Sequence, residues 1–255
     1  MNKLTIHKLT IPATKAALAA VLTMAAAAGA HAAAVPGQGT WETALQPRDY
    51  NADGVVDAYY DISRNLTWLA DADPLGATDY YTGKAWVDSL TVHGTTGWRL
   101  PIIVGVAGGF PSCDGYYTYD GSSECGYNVP AAGSELAHMN QVLLGNKPYW
   151  DTSSNGGNTP PQPGWGLSNT GPFTHLVASD YTTAHTVFSD FYIGEEFVWL
   201  YQFGRGYQDA GEVVLPTTHF WVVHDGDVTA VPEPGGWALM AAGLAVLGLA
   251  RRRQG

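Results

Sequence analysis

The sequence of 255 residues lacks the short motifs that identify common catalytic centres. None of its eight histidines stands in a His-Glu-x-x-His arrangement, which excludes the usual helical zinc site of hydrolases. The chain also contains neither a Gly-x-Ser-x-Gly nucleophile turn nor a glycine-rich phosphate loop. We therefore predict that the protein is not an enzyme and has no catalytic residues.

Basic residues are also scarce, with 12 Lys and Arg against 23 Asp and Glu. Half of the basic residues belong to the two ends of the chain. Residues 33–230 keep six of them against 22 acidic residues, a formal charge of −16. Such a surface repels nucleic acid and anionic polysaccharides, so nucleic acid is excluded as a partner. It suits neutral glycans, cations or simple solubility outside the cell.

Residues 1–32 are typical of a secretory signal peptide. Three lysines accompany an alanine-rich apolar run at 16–28, and Ala30-His31-Ala32 fits the small-residue cleavage pattern. The apolar run is too short to span a membrane comfortably. We expect the Sec translocon to export the chain and a signal peptidase to remove this segment.

Residues 231–255 form a second terminal pattern in three parts. The parts are the tripeptide Pro232, Glu233 and Pro234, the apolar stretch 235–250, and the cluster Arg251, Arg252 and Arg253. The apolar stretch has no polar face, which disfavours a helix at the protein surface. As a helix it would rise about 24 Å, close to the thickness of a bilayer core, with the arginines on the cytoplasmic side. We predict a C-terminal transmembrane helix.

This three-part pattern resembles the PEP-CTERM sorting signal of exopolysaccharide-producing Gram-negative bacteria. The resemblance implies an inner-membrane intermediate, held by the C-terminal helix, which an exosortase cleaves near the Pro-Glu-Pro element. The released body would reach the cell surface or the extracellular matrix.

The only two cysteines, Cys113 and Cys125, flank a glycine- and tyrosine-rich stretch. Export and an even cysteine count favour a disulfide between them. A zinc site is disfavoured because it needs three or four ligands and no histidine lies nearby in the sequence. We predict that the disulfide closes this loop.

Residues 33–230, which lie between the two terminal signals and are called the body of the protein, are predicted to form one α+β domain. Helices are expected at 83–90 and at 133–144, the second with Ser134 as its N-cap and Gly145 as its C-cap. Strands are expected at 41–45, 58–68, 197–203 and 219–223. Residues 151–171 are rich in Pro, Gly, Asn and Ser and are expected to form a long loop.

Four segments of the body resemble the family of the Lcl adhesin C-terminal domain. They are Asn-Leu-Thr-Trp-Leu-Ala-Asp at 65–71, Gly-Trp-Arg-Leu-Pro at 97–101, Gly-Trp-Gly-Leu at 164–167 and His-Asp-Gly-Asp-Val at 224–228. The Trp-Arg-Leu-Pro element also resembles one in formylglycine-generating enzymes and other C-type-lectin-like folds. The resemblance implies a compact C-type-lectin-like domain with two short helices, a twisted antiparallel sheet and long loops.

An acidic stretch at 49–57 offers a candidate calcium site. Oxygen-bearing side chains lie at positions 1, 3, 5 and 9 of a calcium-loop pattern, with glycine at position 6; they are Asp49, Asn51, Asp53 and Asp57. Position 12 is Tyr60, where the pattern requires glutamate. The alternative is an Asx-rich turn before a strand, and the sequence leaves both open.

Aromatic residues are abundant, with 30 Trp, Tyr and Phe in the chain. Loop aromatics can stack on the apolar faces of sugars, and the candidates for glycan contact are Tyr116, Tyr117, Tyr119, Trp150 and Trp165. The alternative for each is a place in the core, which we expect for Trp68, Trp86, Trp98, Trp199 and Trp221.

Together these observations predict a non-catalytic surface or matrix protein that binds extracellular polysaccharide in an exopolysaccharide or biofilm context. No cofactor is expected apart from the candidate calcium ion. The alternatives are a purely structural matrix protein without a specific ligand and a carbohydrate-active enzyme.

Overall fold

A computed structural model describes residues 33–106, 117–154, 156, 159–188, 196–212 and 218–229. The chain divides into a leading unit, Met1–Ala30, and a second unit, His31–Gly255, to which every described residue belongs. In chain order the elements are α1 (Trp41–Ala44), β1 (Leu45–Arg48), β2 (Ala58–Asp61), β3 (Leu66–Leu69), α2 (Tyr80–Ser89), β4 (Gly126–Tyr127), α3 (Glu135–Ala137), a π-helical segment (His138–Leu143), β5 (Asp180–Phe188), β6 (Glu196–Gln202), β7 (Tyr207–Glu212) and β8 (Val223–Asp225).

The strands form two antiparallel four-stranded sheets, with the orders β1-β2-β3-β8 and β4-β7-β6-β5. The α+β class is therefore confirmed, although the strands divide into two sheets where one twisted sheet was expected. Among the described residues no helix is long and apolar enough to cross a membrane. The predicted transmembrane segment 235–250 lies outside those residues.

The single strand expected at 58–68 is a hairpin of β2 and β3. The chain turns because the Asp61 carboxylate accepts hydrogen bonds from the backbone N–H and the hydroxyl of Ser63, at 2.8 and 2.6 Å. Asn65 then adopts φ +54°, a left-handed conformation that asparagine tolerates better than most residues. Two adjacent strands thus form where one was predicted, because the polar residues between them make a turn.

The other predicted strands had mixed outcomes. The strand expected at 197–203 is confirmed as β6, whereas 41–45 is mainly the helical turn α1, and 219–223 only reaches β8 at Val223. The described residues of 151–171 contain none of the helices or strands named above, as expected for a loop.

Both predicted helices are present, with shifted ends. The first, α2, begins earlier than expected because Asp79 caps it, accepting a hydrogen bond from the Thr82 N–H at 3.0 Å. Ser134 caps α3 as predicted, accepting from the Ala137 N–H at 3.2 Å. The second helix changes to π-helical geometry at His138, and Gly145 follows it with φ +64°.

A large core cluster contains residues of both sheets, and a smaller cluster is formed by Ile103, Cys125 and Trp199. Of the tryptophans that were predicted to be core, Trp68, Trp98, Trp199 and Trp221 are buried and Trp86 is half-buried. Trp68 and Trp221 pack with their ring centroids 4.8 Å apart, and the Trp221 indole N–H donates to the Leu69 carbonyl at 2.8 Å. The inner faces of the sheets therefore pack against the core, and the outer face of the second sheet, β4-β7-β6-β5, can hold a functional site.

Candidate functional site

The strand register of the second sheet places four large polar or aromatic side chains in one row. Tyr127 on β4 pairs with Tyr207 on β7, Tyr207 pairs with Gln202 on β6, and Gln202 pairs with Asp180 on β5. Directly paired residues in a sheet project to the same face. Their neighbours Tyr201 and Gln208 are fully buried on the opposite face.

A cleft of about 400 Å³ lies on this outer face. Two loops complete it, one with Tyr117 and Tyr119 before β4, the other with Trp150 after the π-helical segment. Its lining combines aromatic and small residues with four charged or amide side chains: Tyr117, Tyr119, Tyr127, Trp150, Leu200, Tyr207, Ala210 and Gly211, with Asp180, Gln202, Arg205 and Asp209. We call this site the aromatic cleft.

The rings of the aromatic cleft pack against one another and so hold fixed orientations. Tyr119 stacks on Tyr127 with centroids 5.9 Å apart and ring planes 9° apart. Trp150 meets Tyr127 edge-on at 4.8 Å, and its indole N–H donates to the Thr159 carbonyl at 2.8 Å. Tyr117 stacks on Tyr207 at 6.0 Å. Such packing restricts the rotation of the rings and preforms the surface of the cleft.

Asp209 lies at the base of the Tyr117–Tyr207 pair. Its Oδ2 accepts hydrogen bonds from the Tyr117 hydroxyl at 2.8 Å and the Tyr207 hydroxyl at 3.1 Å, and its Oδ1 accepts from the Ala210 N–H at 2.7 Å. Burial raises the pKa of the Asp209 carboxyl above its ordinary value despite these donors. Burial and the adjacent carboxylate also raise the pKa of Tyr207, so its hydroxyl stays protonated and remains a donor.

Two further charged groups border the aromatic cleft. The Arg205 guanidinium lies 5.7 Å from the centroid of the Tyr149 ring, over its face. The half-buried Asp180 carboxylate accepts from the Gln202 amide at 3.0 Å. Within the described residues Asp180 forms no ion pair with Arg, Lys or His.

The structure brings three of the five aromatic candidates into one site. Tyr117, Tyr119 and Trp150 all line the aromatic cleft. Trp165 lies further out, 41% exposed, with its ring 4.6 Å from Tyr149. Tyr116 lies outside the described residues.

The strands also contribute cleft residues that were not predicted from the sequence: Tyr127, Asp180, Leu200, Gln202, Tyr207 and Asp209. Arg205, in the turn between β6 and β7, was not predicted either. One available signal was the alternation of Tyr207 and Asp209 with Gln208. Polar and aromatic residues at every second position of a strand indicate that the outer face of the sheet has a function.

The candidate calcium ligands form a turn that is closed by its own hydrogen bonds. Asp49 accepts from the N–H groups of Asp53 and Gly54, at 3.3 and 2.8 Å. Asn51 accepts from the Asp53 N–H at 3.0 Å, and Asp57 accepts from the Tyr50 N–H at 2.7 Å. These are the contacts of the Asx-rich turn, the alternative that the sequence left open.

The other carboxylate oxygen of Asp57, Oδ1, lies 3.1 Å from Nε2 of His93. Across the described part of the chain, no group of three or more His, Cys, Asp or Glu side chains is arranged to hold a metal ion. Calcium binding at the turn stays a prediction.

Ser63, His138 and Asp61 lie together but lack the order of a catalytic triad. The Ser63 hydroxyl is 3.0 Å from Nε2 of His138, and the Asp61 carboxylate is 3.5 Å from the same nitrogen. In a triad the carboxylate and the nucleophile occupy opposite nitrogens of the imidazole. The cluster instead ties the β2–β3 turn to the π-helical segment.

The remaining predicted site residues fall wholly or partly outside the described residues. They are the sorting residues Pro232, Glu233, Pro234, Arg251, Arg252 and Arg253, and Cys113 of the predicted disulfide. Cys125 is described and fully buried, packed with Ile103 and Trp199. The Cys113–Cys125 bond stays a prediction.

Comparison with known families identifies the C-terminal pattern. Residues 230–254 match the PEP-CTERM protein-sorting motif. This match supports a protein that is exported and sorted by an exosortase. No curated protein and no solved structure matches the chain, so the resemblance of the body to the Lcl adhesin C-terminal domain gains no support from them.

Proposed function

We propose that this exported protein reaches the cell surface or extracellular matrix and there binds carbohydrate, without catalysis, in the aromatic cleft. The observation that carries the proposal is the cleft itself, in which packed tyrosine rings border fixed hydrogen-bonding side chains. Pyranose rings present apolar C–H faces and a rim of hydroxyls. A site for them therefore needs apolar planes beside polar groups in set positions.

The position of the cleft also fits a polymeric ligand. Tyr117 is 54% exposed and Trp165 is 41% exposed, so aromatic surface is available both at the cleft and beyond its edge. A polysaccharide could lie across the sheet without entering a closed cavity. The resemblance to an adhesin family and the sorting motif typical of exopolysaccharide producers agree with this mode of binding.

A binding role without catalysis agrees with how Asp209 is used. A glycosidase needs one carboxyl group free to protonate the leaving oxygen and a second carboxylate on the other side of the bond. Both oxygens of Asp209 already accept hydrogen bonds from Tyr117, Tyr207 and Ala210, which support the wall of the cleft. We therefore assign Asp209 a structural role.

A glycan array followed by titration calorimetry tests the proposal. Tyr117→Ala should weaken binding of any selected glycan at least about fivefold, the worth of one lost aromatic stacking contact. Tyr81→Ala is the matched control, since Tyr81 is 58% exposed on α2 and does not line the cleft. An array without selective binding would leave a purely structural matrix protein, and hydrolysis of a bound glycan would overturn the non-catalytic role.

Sorting is tested by the intact mass of the secreted protein in cells with and without the cognate exosortase. We expect a mass close to that of residues 33–232 in the first case and a retained C-terminal segment in the second. A mature protein that keeps Trp237 through Arg253 in both strains would contradict cleavage.

A further inference from the structure

The charges around the aromatic cleft narrow the class of sugar that it would take. If all three charged side chains of the lining are ionised, Asp180 and Asp209 outweigh Arg205 by one negative charge. The cleft belongs to a body with a formal charge of −16. A cationic ligand is therefore drawn to the whole body and to this site, whereas a neutral glycan gains nothing from either field.

Asp180 is the carboxylate placed to meet such a ligand. It ends the cross-strand row Tyr127–Tyr207–Gln202–Asp180, so it faces the same side of the sheet as the tyrosine rings. Its carboxylate accepts a hydrogen bond from a neutral amide, that of Gln202, and among the described residues no basic side chain forms an ion pair with it. A half-buried carboxylate without a cation gains most from a cation that the ligand supplies.

Arg205, unlike Asp180, already has a partner for its charge within the protein. Its guanidinium is already engaged by the Tyr149 ring. It therefore offers less to an anionic sugar than a free arginine would, and the charge of the body opposes such a sugar at longer range.

We propose that the aromatic cleft binds polysaccharide with unacetylated amino sugars, with the ring face on tyrosine and the protonated amino group at Asp180. This inference rests on the proposed carbohydrate-binding function and specifies its ligand. An ammonium group on a pyranose ring satisfies both features of the cleft at once. An N-acetylated sugar offers the same ring face without the charge.

The experiment compares glucosamine oligosaccharides with N-acetylglucosamine oligosaccharides of equal length by calorimetry, at a pH where the amino groups are protonated. We expect the unacetylated series to bind more tightly. Asp180→Asn should weaken its binding about fivefold to tenfold, the effect of losing one partly desolvated charge pair. The same variant should leave binding of the N-acetylated series within twofold of wild type.

Asp88→Asn is the matched control, because it removes the same charge from an exposed site on α2. Equal losses in the Asp180 and Asp88 variants would mean attraction by the net charge alone and would overturn the proposal. Equal or tighter binding of N-acetylated sugars would also overturn it, while leaving a Tyr117-dependent carbohydrate cleft in place. Failure of both series would overturn the amino-sugar ligand and leave the carbohydrate function to the result of the glycan array. Binding of a lysine-rich peptide with the same Asp180 dependence would assign the site to cationic protein chains instead and overturn the amino-sugar ligand.

Discussion

Arg99 and Glu135 form a bidentate ion pair, with Nη1 2.9 Å from Oε2 and Nη2 2.9 Å from Oε1. The pair joins the Trp-Arg-Leu-Pro segment to the start of α3, and Glu135 also accepts from the Ile102 N–H at 2.8 Å. Arg99 reaches Asp225 on β8 at 2.6 Å as well. Burial opposes the charge on Arg99, but the two carboxylates outweigh it and raise the pKa of the guanidinium. One arginine thus holds together three parts of the chain that are distant in sequence.

Arg99→Met should destabilise the fold by roughly 2–4 kcal/mol, because it leaves the 7% exposed Glu135 carboxylate without its cation. Urea unfolding at neutral pH would measure the loss. Lys84→Met is the control, since Lys84 pairs with Asp88 at an exposed i,i+4 site worth less than about 0.5 kcal/mol. Similar losses in both variants would contradict a special role for the Arg99–Glu135 pair.

The Trp-Arg-Leu-Pro segment was identified in the sequence, but the residues that its arginine contacts could not be predicted. Nothing near Glu135 or Asp225 in the sequence marks them as partners of Arg99, because the three meet only when strands and helices pack. The same limit applies to the aromatic cleft. Its loop residues Tyr117 and Trp150 were identified because they are aromatic residues in predicted loops. That prediction does not depend on knowing which strands pair.

Three of the four strands of the cleft, β4, β5 and β7, were missed because their sequences carry little apolar signal. β4 has two residues, and β5 begins Asp-Tyr-Thr-Thr-Ala-His, in which polar residues occupy both faces. β7 contains Gly211 and alternates Tyr, Gln and Asp. By contrast β6 is rich in aromatic and branched residues and was predicted within one residue. Hydrophobic periodicity therefore finds β6, which contributes to both the core and the cleft, and misses the more polar strands beside it.

Asp61 predicts a measurable dependence of stability on pH. Burial alone would raise the pKa of its carboxyl, but His138 and Ser63 outweigh burial and hold the pKa below its ordinary value. A carboxyl with a lowered pKa in the folded state contributes stability above its unfolded pKa of about 3.9, and this is lost as the pH falls through the folded pKa.

Asp61→Asn should therefore cost about 1–3 kcal/mol at neutral pH and progressively less below about pH 4. Urea midpoints of the wild type and the variant at several pH values between 2 and 7 would show the two curves converging in acid. Curves that run parallel over this range would contradict the assignment of this acid-sensitive stability to Asp61.

Calcium distinguishes the two alternatives for Asp49, Asn51, Asp53 and Asp57. If they form only the Asx-rich turn, which its own hydrogen bonds close, calcium should leave the melting temperature unchanged. The comparison is between millimolar calcium and a chelator. A bound ion at ten times its Kd would add about 1.4 kcal/mol, a rise of roughly 3–6 °C for a domain of this size. Such a rise, lost in Asp53→Ala, would establish the calcium site in place of the plain turn.

The predicted Cys113–Cys125 disulfide should stabilise the protein by roughly 3 kcal/mol, because it closes a short loop and so restricts the unfolded chain. Cys125 is fully buried beside Ile103 and Trp199, so loss of the disulfide would affect a residue that is packed in the protein interior. Reductant should lower the urea midpoint of the wild type to that of Cys113→Ser, which should not respond to reductant. In the unreduced, unfolded wild type we expect no thiol to react with a labelling reagent. Two labelled thiols would show that the bond is absent, and the buried Cys125 side chain would then act only through packing.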